Sequence, residues 1–170
     1  MTLYKAVRPD GGSFHDPTFR WLPEDGVVPD GGWLVKHPAP AARIGRGSDA
    51  TADGYLSVST EPADCTGFKW PCRLLLVEPV GRPALDDSYP HKRRVRAARV
   101  VGETDAWRAF GPNGEQVVAF LGVLPTLSVA ARAAALALVV RDLITPDQFA
   151  TLTAPMRAAG IDFDTLGGAR

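Results

Sequence analysis

The run His91-Lys92-Arg93-Arg94-Val95-Arg96, with Arg99 close behind, concentrates cationic side chains that could contact the phosphates of a nucleic acid or of a nucleotide. On an extended backbone Arg94 and Arg96 project to one side and Arg93 to the other, so Lys92, Arg94 and Arg96 are the candidate phosphate contacts. Such a strand also has a structural use, because its charges resist edge-to-edge pairing with another sheet; in a chain of zero net charge that use is the expectation. A second group lies in Gly54-Tyr55-Leu56-Ser57-Val58-Ser59-Thr60, where Ser57 and Ser59 share one face of a strand whose other face can be buried. The bland alternative is that these serines decorate a wet strand face. His15, His37 and His91 are far apart and have no Glu or Cys at ligand spacing, which argues against a metal site. Cys65 and Cys72 have no adjacent His to activate a thiolate and form no CxxC pair, so reduced, structural cysteines are expected, with a disulfide between them left open.

In chain order, LYKAVR, LSVSTEP and GEQVVAF place a basic residue on an early strand, a Ser-x-Ser/Thr strand in the middle, and a Glu leading an apolar segment. This order resembles the Arg, Ser-Thr-Ser and Glu arrangement of ADP-ribosyltransferases. The resemblance implies that Lys5 or Arg8 holds the phosphates of NAD, that Ser57, Ser59 and Thr60 brace the site, and that Glu115 steadies an oxocarbenium-like ribose. The family has Arg where this chain has Lys5, and Lys offers a point charge in place of a bidentate fork.

The elements that must position these residues follow from local pattern. Thr2 to Val7 is a first strand, ended by Arg8-Pro9-Asp10-Gly11-Gly12. Phe14, Phe19, Trp21 and Trp33 are spread among PEDG and PDGG turns, with Trp33 to Lys36 a short strand and Ala39 to Asp53 a mobile loop. Thr60 is placed to cap a short helix with Pro62 in its first turn. Cys72 to Val80 is a continuous apolar run that fits a central strand, and Arg93 to Val101 is a strand with one wet face. Glu115 to Leu124, entered through Asn113-Gly114 and containing Gly122, is expected to be a strand. Ser128 caps an Ala-rich helix reaching about Leu143, either nearly surrounded by protein or part of an oligomer interface. Thr145-Pro146-Asp147-Gln148 is a capping box for a second helix, which Pro155 should kink or divide and Gly160 should end.

Tyr4-Lys5-Ala6, Pro62-Ala63-Asp64-Cys65, Val77-Glu78 with Gly81, and Lys92 to Val100 are also similar, in order, to a family of small phage and actinobacterial prophage domains of unassigned activity. The likeness spans roughly residues 3–103, and the C-terminal helices lie outside it. It implies a phage or prophage accessory protein and brings no reaction with it.

Lys plus Arg equal Asp plus Glu at 19 each, so any attraction to nucleic acid or anionic lipid must come from a local patch. The opening MTLYKAVRPDGG lacks the apolar core of a signal peptide, and Ala133 to Val140 is far shorter than the roughly 20 residues of a spanning helix. The expectation is one α+β domain: a twisted, mostly antiparallel β-rich body over residues 1–125 and a helical hairpin over 126–170 packed on it. The expected function is a phage-type accessory or binding domain, non-catalytic and without a cofactor. It would act through a protein partner or self-association, in the host cytoplasm or on the virion and not in a membrane. An ADP-ribosyltransferase-like use of NAD, an inactive nucleotide-binding relative, and nucleic-acid binding through the basic strand are the alternatives.

Overall fold

The computed structural model describes residues 1–16, 18–38, 55–65, 69–86, 89–124 and 126–166; the loop expected over Ala39 to Asp53 lies outside them. Two compact units divide the chain, Met1–Ala109 and Phe110–Arg170.

The first unit is a seven-stranded antiparallel sheet. Its strands are β1 (Leu3–Val7), β2 (Trp33–Lys36), β3 (Leu56–Ser59), β4 (Arg73–Val80), β5 (Ala84–Leu85), β6 (Lys92–Val95) and β7 (Ala97–Thr104), in the order β2-β7-β4-β1-β3-β6-β5. The apolar run of β4 is central as expected, paired with β7 on one side and β1 on the other, and Leu74, Leu75 and Val77 are fully buried. The expected strand from Arg93 to Val101 is instead two strands bent at Arg96. They are not sheet neighbours, since β6 pairs with β3 and β5 while β7 pairs with β4 and β2. In a flat sheet, strands four places apart would be about 19 Å apart. A single linking residue spans no more than about 7 Å. The sheet must therefore roll so that the start of β7 returns beside the end of β6.

One apolar core fills the inside of that roll. Leu3 and Val7 of β1, Val35 of β2, Leu56 and Val58 of β3, Leu75 and Val77 of β4, Val95 of β6, and Ala98 and Val100 of β7 meet Trp21 and Leu22 there. The loop that delivers Trp21 is anchored at both ends. Gly11 takes φ +82° in the turn after β1, and its carbonyl accepts from the Trp21 amide at 2.8 Å. Ser13 is buried, and its hydroxyl accepts from the amides of His15 and Asp16. Thr60 does not cap the short 3-10 turn Pro62–Asp64, where Glu61 holds the cap position without a side-chain bond. The Thr60 amide and hydroxyl both go to the His91 carbonyl, extending the β3–β6 pairing by one residue.

The second unit is helical, with α1 (Gly114–Gly122), α2 (Val129–Val139) and α3 (Pro146–Ala158). The segment expected as a strand from Glu115 to Leu124 is the helix α1. Buried Gly114, Val117, Phe120 and Leu121 recur at helical spacing, and that stripe outweighs the turn signal of Asn113-Gly114. Ser128 caps α2 by accepting from the Ala131 amide. The helix stops at Val139, followed by a single 3-10 turn, Arg141–Leu143. Its Ala131, Ala134, Ala135, Ala137 and Leu138 are buried, leaving Val129, Arg132 and Leu136 as a narrow exposed stripe. The capping box of Thr145 and Gln148 opens α3 with both of its bonds formed. Pro155 does not divide α3: it and Thr151, whose carbonyl loses a donor, are both exposed, so water can serve that carbonyl. Gly160, at φ +89°, ends the helix as expected, with the Ile161 amide reaching back to the Met156 carbonyl. Phe163 then turns inward, 5.1 Å from Phe120 and edge-on to Phe149 at 6.0 Å. No helix among the described residues is long and apolar enough to cross a membrane.

Candidate functional site

β1 is paired with β4 along all five of its residues but with β3 only at Tyr4↔Ser59. Past that pair the ladder stops, and a side chain takes the place of a backbone donor. Lys5 Nζ donates to the Ser57 carbonyl at 2.9 Å and lies 4.9 Å from the centre of the Trp21 ring. Lys5 lies two residues from fully buried Leu3 and from Val7 and so shares their face of β1, and its side chain leaves the strand on the core side of the sheet. Burial there, and secondly the repulsion of Lys92, pull its pKa down to about 8.

Two cavities border this seam and share His15. The first, of about 560 Å³, is lined by Lys5, Ser57, His37 and the rings of Phe19, Trp21 and Tyr55. Phe19 meets Trp21 edge-on at 6.0 Å and stacks on His37 at 6.5 Å. The second, of about 600 Å³, is lined by Asp64, Cys65, Lys69, Tyr89, His91 and Lys92. The pairing Ser59↔Lys92 puts Lys92 beside buried Ser59; its Nζ donates to the Ser59 hydroxyl at 2.7 Å and to the Asp64 carbonyl. Lys69 Nζ donates to the Phe14 carbonyl at 3.4 Å and sits 5.6 Å from the centre of that ring.

Burial first, and lysine charges after it, set the shifts of Lys5 and His15 at the seam. His15 is held below its ordinary pKa first by burial and then by Lys5, Lys69 and Lys92. Burial raises the Cys65 thiol, opposed in part by its bond to Ser59 and by Lys92 and Lys5. Two acids, Asp16 and Asp64, also stand on the walls. Asp16 is held low by its bonds to the Thr18 hydroxyl and amide, and the Asp64 carboxylate lies 3.9 Å from His91. The three ammonium groups have only neutral oxygens as hydrogen-bond acceptors among the described residues.

Of the residues singled out from the sequence, Lys5, Ser57, Ser59 and Lys92 meet at this seam. Arg8 does not; it folds over Gly12 and pairs with Asp10 at 3.1 Å in the turn after β1. Thr60 is tied to His91. Arg94 pairs with Asp86 at 3.2 Å, and Arg96, at the bend, lies 5.7 Å from the centre of the Tyr55 ring, so the basic run does not form one phosphate-facing strand. Glu115 stands in the first turn of α1, in the other unit and not on a strand. His15, Lys69 and the ring walls were missed because they come from loops. One signal was present in the composition: the chain has four lysines against fifteen arginines, and three of the four, Lys5, Lys69 and Lys92, line the two adjoining cavities. No group of three or more His, Cys, Asp or Glu suited to a metal ion occurs among the described residues. Comparison of the chain with protein-family models, curated proteins and solved structures returns no match.

Proposed function

We propose that the first unit is a binding domain for a small ligand bearing phosphate or carboxylate groups, taken up at the β1–β3 seam, in an accessory protein of the phage type. The observation that carries this reading is the gathering of Lys5, Lys69 and Lys92 around His15 with only neutral oxygens on their ammonium groups. Like charges held together in a partly buried place repel one another, and an anion relieves that repulsion while making charge-assisted hydrogen bonds. The flat walls of Phe19, Trp21 and Tyr55 favour a ligand with a ring over a bare ion, which makes nucleotides, NAD among them, the first class to try. Thermal unfolding followed with inorganic phosphate, AMP and NAD tests it. Binding at 100 times Kd stabilises by about 2.7 kcal/mol, and protection should shrink in Lys69→Met and Lys92→Met. No protection by any of the three at millimolar concentration would sink the reading.

NAD as a substrate is the further form of this reading, with Ser59 bracing the site as the ADP-ribosyltransferase likeness implies. Nicotinamide release lost in Ser59→Ala would support it; no release leaves a binding domain. A second reading, self-association through the helical unit, rests on the exposure of Val129 (86%) and Leu136 (50%), seven residues apart on α2. Light scattering after size exclusion should then show a dimer that Leu136→Lys dissociates, and a strict monomer would exclude it.

A further inference from the structure

We propose that Lys5 is a reactive amine that holds the carbonyl group of its ligand as an imine on Nζ, so that the ligand class is an aldehyde or ketone that also carries an anionic group. The anionic part rests on the cleft reading above; the imine does not.

The first ground is the choice of residue. Where this chain needs a permanent positive charge in an ion pair it uses arginine, as in Arg8–Asp10, Arg73–Glu103, Arg94–Asp86 and Arg157–Asp164. Arginine keeps its proton under all ordinary conditions, whereas a buried lysine can lose one and become a nucleophile. The second ground is position. Lys5 lies on the central strand β1, flanked by fully buried Leu3 and Val7, with one backbone carbonyl as its acceptor and the Trp21 ring beside it. It nevertheless keeps part of its surface open to the first cavity, so a carbonyl carbon can reach it. Rings on the cavity wall limit the water that would hydrolyse an imine. The third ground is the neighbourhood: Lys92 disfavours the ammonium form, and His15, on the same cavity wall, is a group able to pass a proton to and from the reacting atoms.

The step balances without a further reactant. The Nζ lone pair attacks the carbonyl carbon to form a C–N bond, and the carbonyl oxygen takes a proton to give a carbinolamine. That hydroxyl then leaves with one more proton as water. From the ammonium form the sum is ammonium plus carbonyl giving iminium plus water, with the charge conserved. The iminium N–H can therefore keep the Ser57 carbonyl, and the cation keeps the Trp21 ring.

The test traps the imine with borohydride in the full-length protein and maps the adducts by mass spectrometry. The probes are glyoxylate, an aldehyde with a carboxylate, and propanal, an aldehyde without charge. Exposed Lys36 and the Met1 α-amine are internal references. Near neutral pH, Lys5 should be trapped about tenfold or more faster than Lys36, because far more of it is neutral. Its rate should rise through about pH 8. Lys5→Arg should remove the adduct, and since the comparison is made within the wild-type chain, a poorly folded variant costs nothing. Trapping of Lys5 no faster than Lys36 overturns the imine, even if phosphate still protects the fold and the anion site stands. If propanal traps Lys5 but glyoxylate gains nothing and phosphate does not compete, the imine stands and the anionic reading falls.

Discussion

Lys5 is a cation on the core side of a sheet, and its environment makes a signed prediction. Its folded pKa, about 8, lies below the value of an unfolded lysine. The unfolded chain therefore holds the proton more tightly between about pH 8 and 10.4, so stability should rise with pH across that window, and the penalty is present in full below it. Lys5→Met should accordingly stabilise the protein at pH 7, by about 1 kcal/mol once the lost bond to Ser57 is offset. That gain should fade towards pH 10 in urea titrations; a gain that does not depend on pH would contradict the burial of the charge. The cysteines are governed by the same desolvation. Burial pushes Cys72 up to about 11, with Cys65 adding to it, and raises Cys65 as well. At pH 8 both thiols should react with iodoacetamide much more slowly in the folded chain than in urea, which intact-mass kinetics would show. From the sequence, Ser57 and Ser59 could be set on one face because period two is a local property. The convergence of Lys69 and His15 could not be seen, since it depends on two separate loops folding onto β1 and β6.

At the scale of elements, the caps and turns are the most exposed to simple tests. Gly32 has φ +84°, and an added Cβ would lie 2.6 Å from the Val100 carbonyl oxygen. Gly32→Ala should cost about 2 kcal/mol in chemical denaturation, because the backbone of β2 cannot retreat without losing its pairing to β7. Thr145→Ala removes the side-chain half of the capping box and should cost about 1 kcal/mol, read as an earlier loss of helical circular dichroism. These caps were legible because a few adjacent residues make them. Two elements were misread for opposite reasons. At Glu115 to Leu124, a glycine-bounded apolar run fits either period, and the spacing of Val117, Phe120 and Leu121 decides for a helix. At Arg96, nothing in the alternation of Arg94, Val95 and Ala97 marks the bend, because it is imposed by the return of β7 to β4.

For the molecule as a whole, stability should be uneven in a way that topology dictates. In the first unit, the amides of β4 and its partners β1 and β7 should exchange slowest with solvent. The two-residue edge strand β5 should exchange fastest, and hydrogen exchange followed by mass spectrometry would rank them. Sequence alone determined the class of the fold, the central place of the apolar strand, the caps of the last two helices, and a charge balance that leaves only local patches to act. These depend on neighbours in the chain, or on sums over it. Tertiary structure decided the rest: that the sheet rolls, that β1 and β3 share a single pair, and that three of four lysines line two cavities that share His15. Burial and repulsion at the seam arise only when residues far apart in the chain are brought together, and they turn an unremarkable strand lysine into the centre of the candidate site.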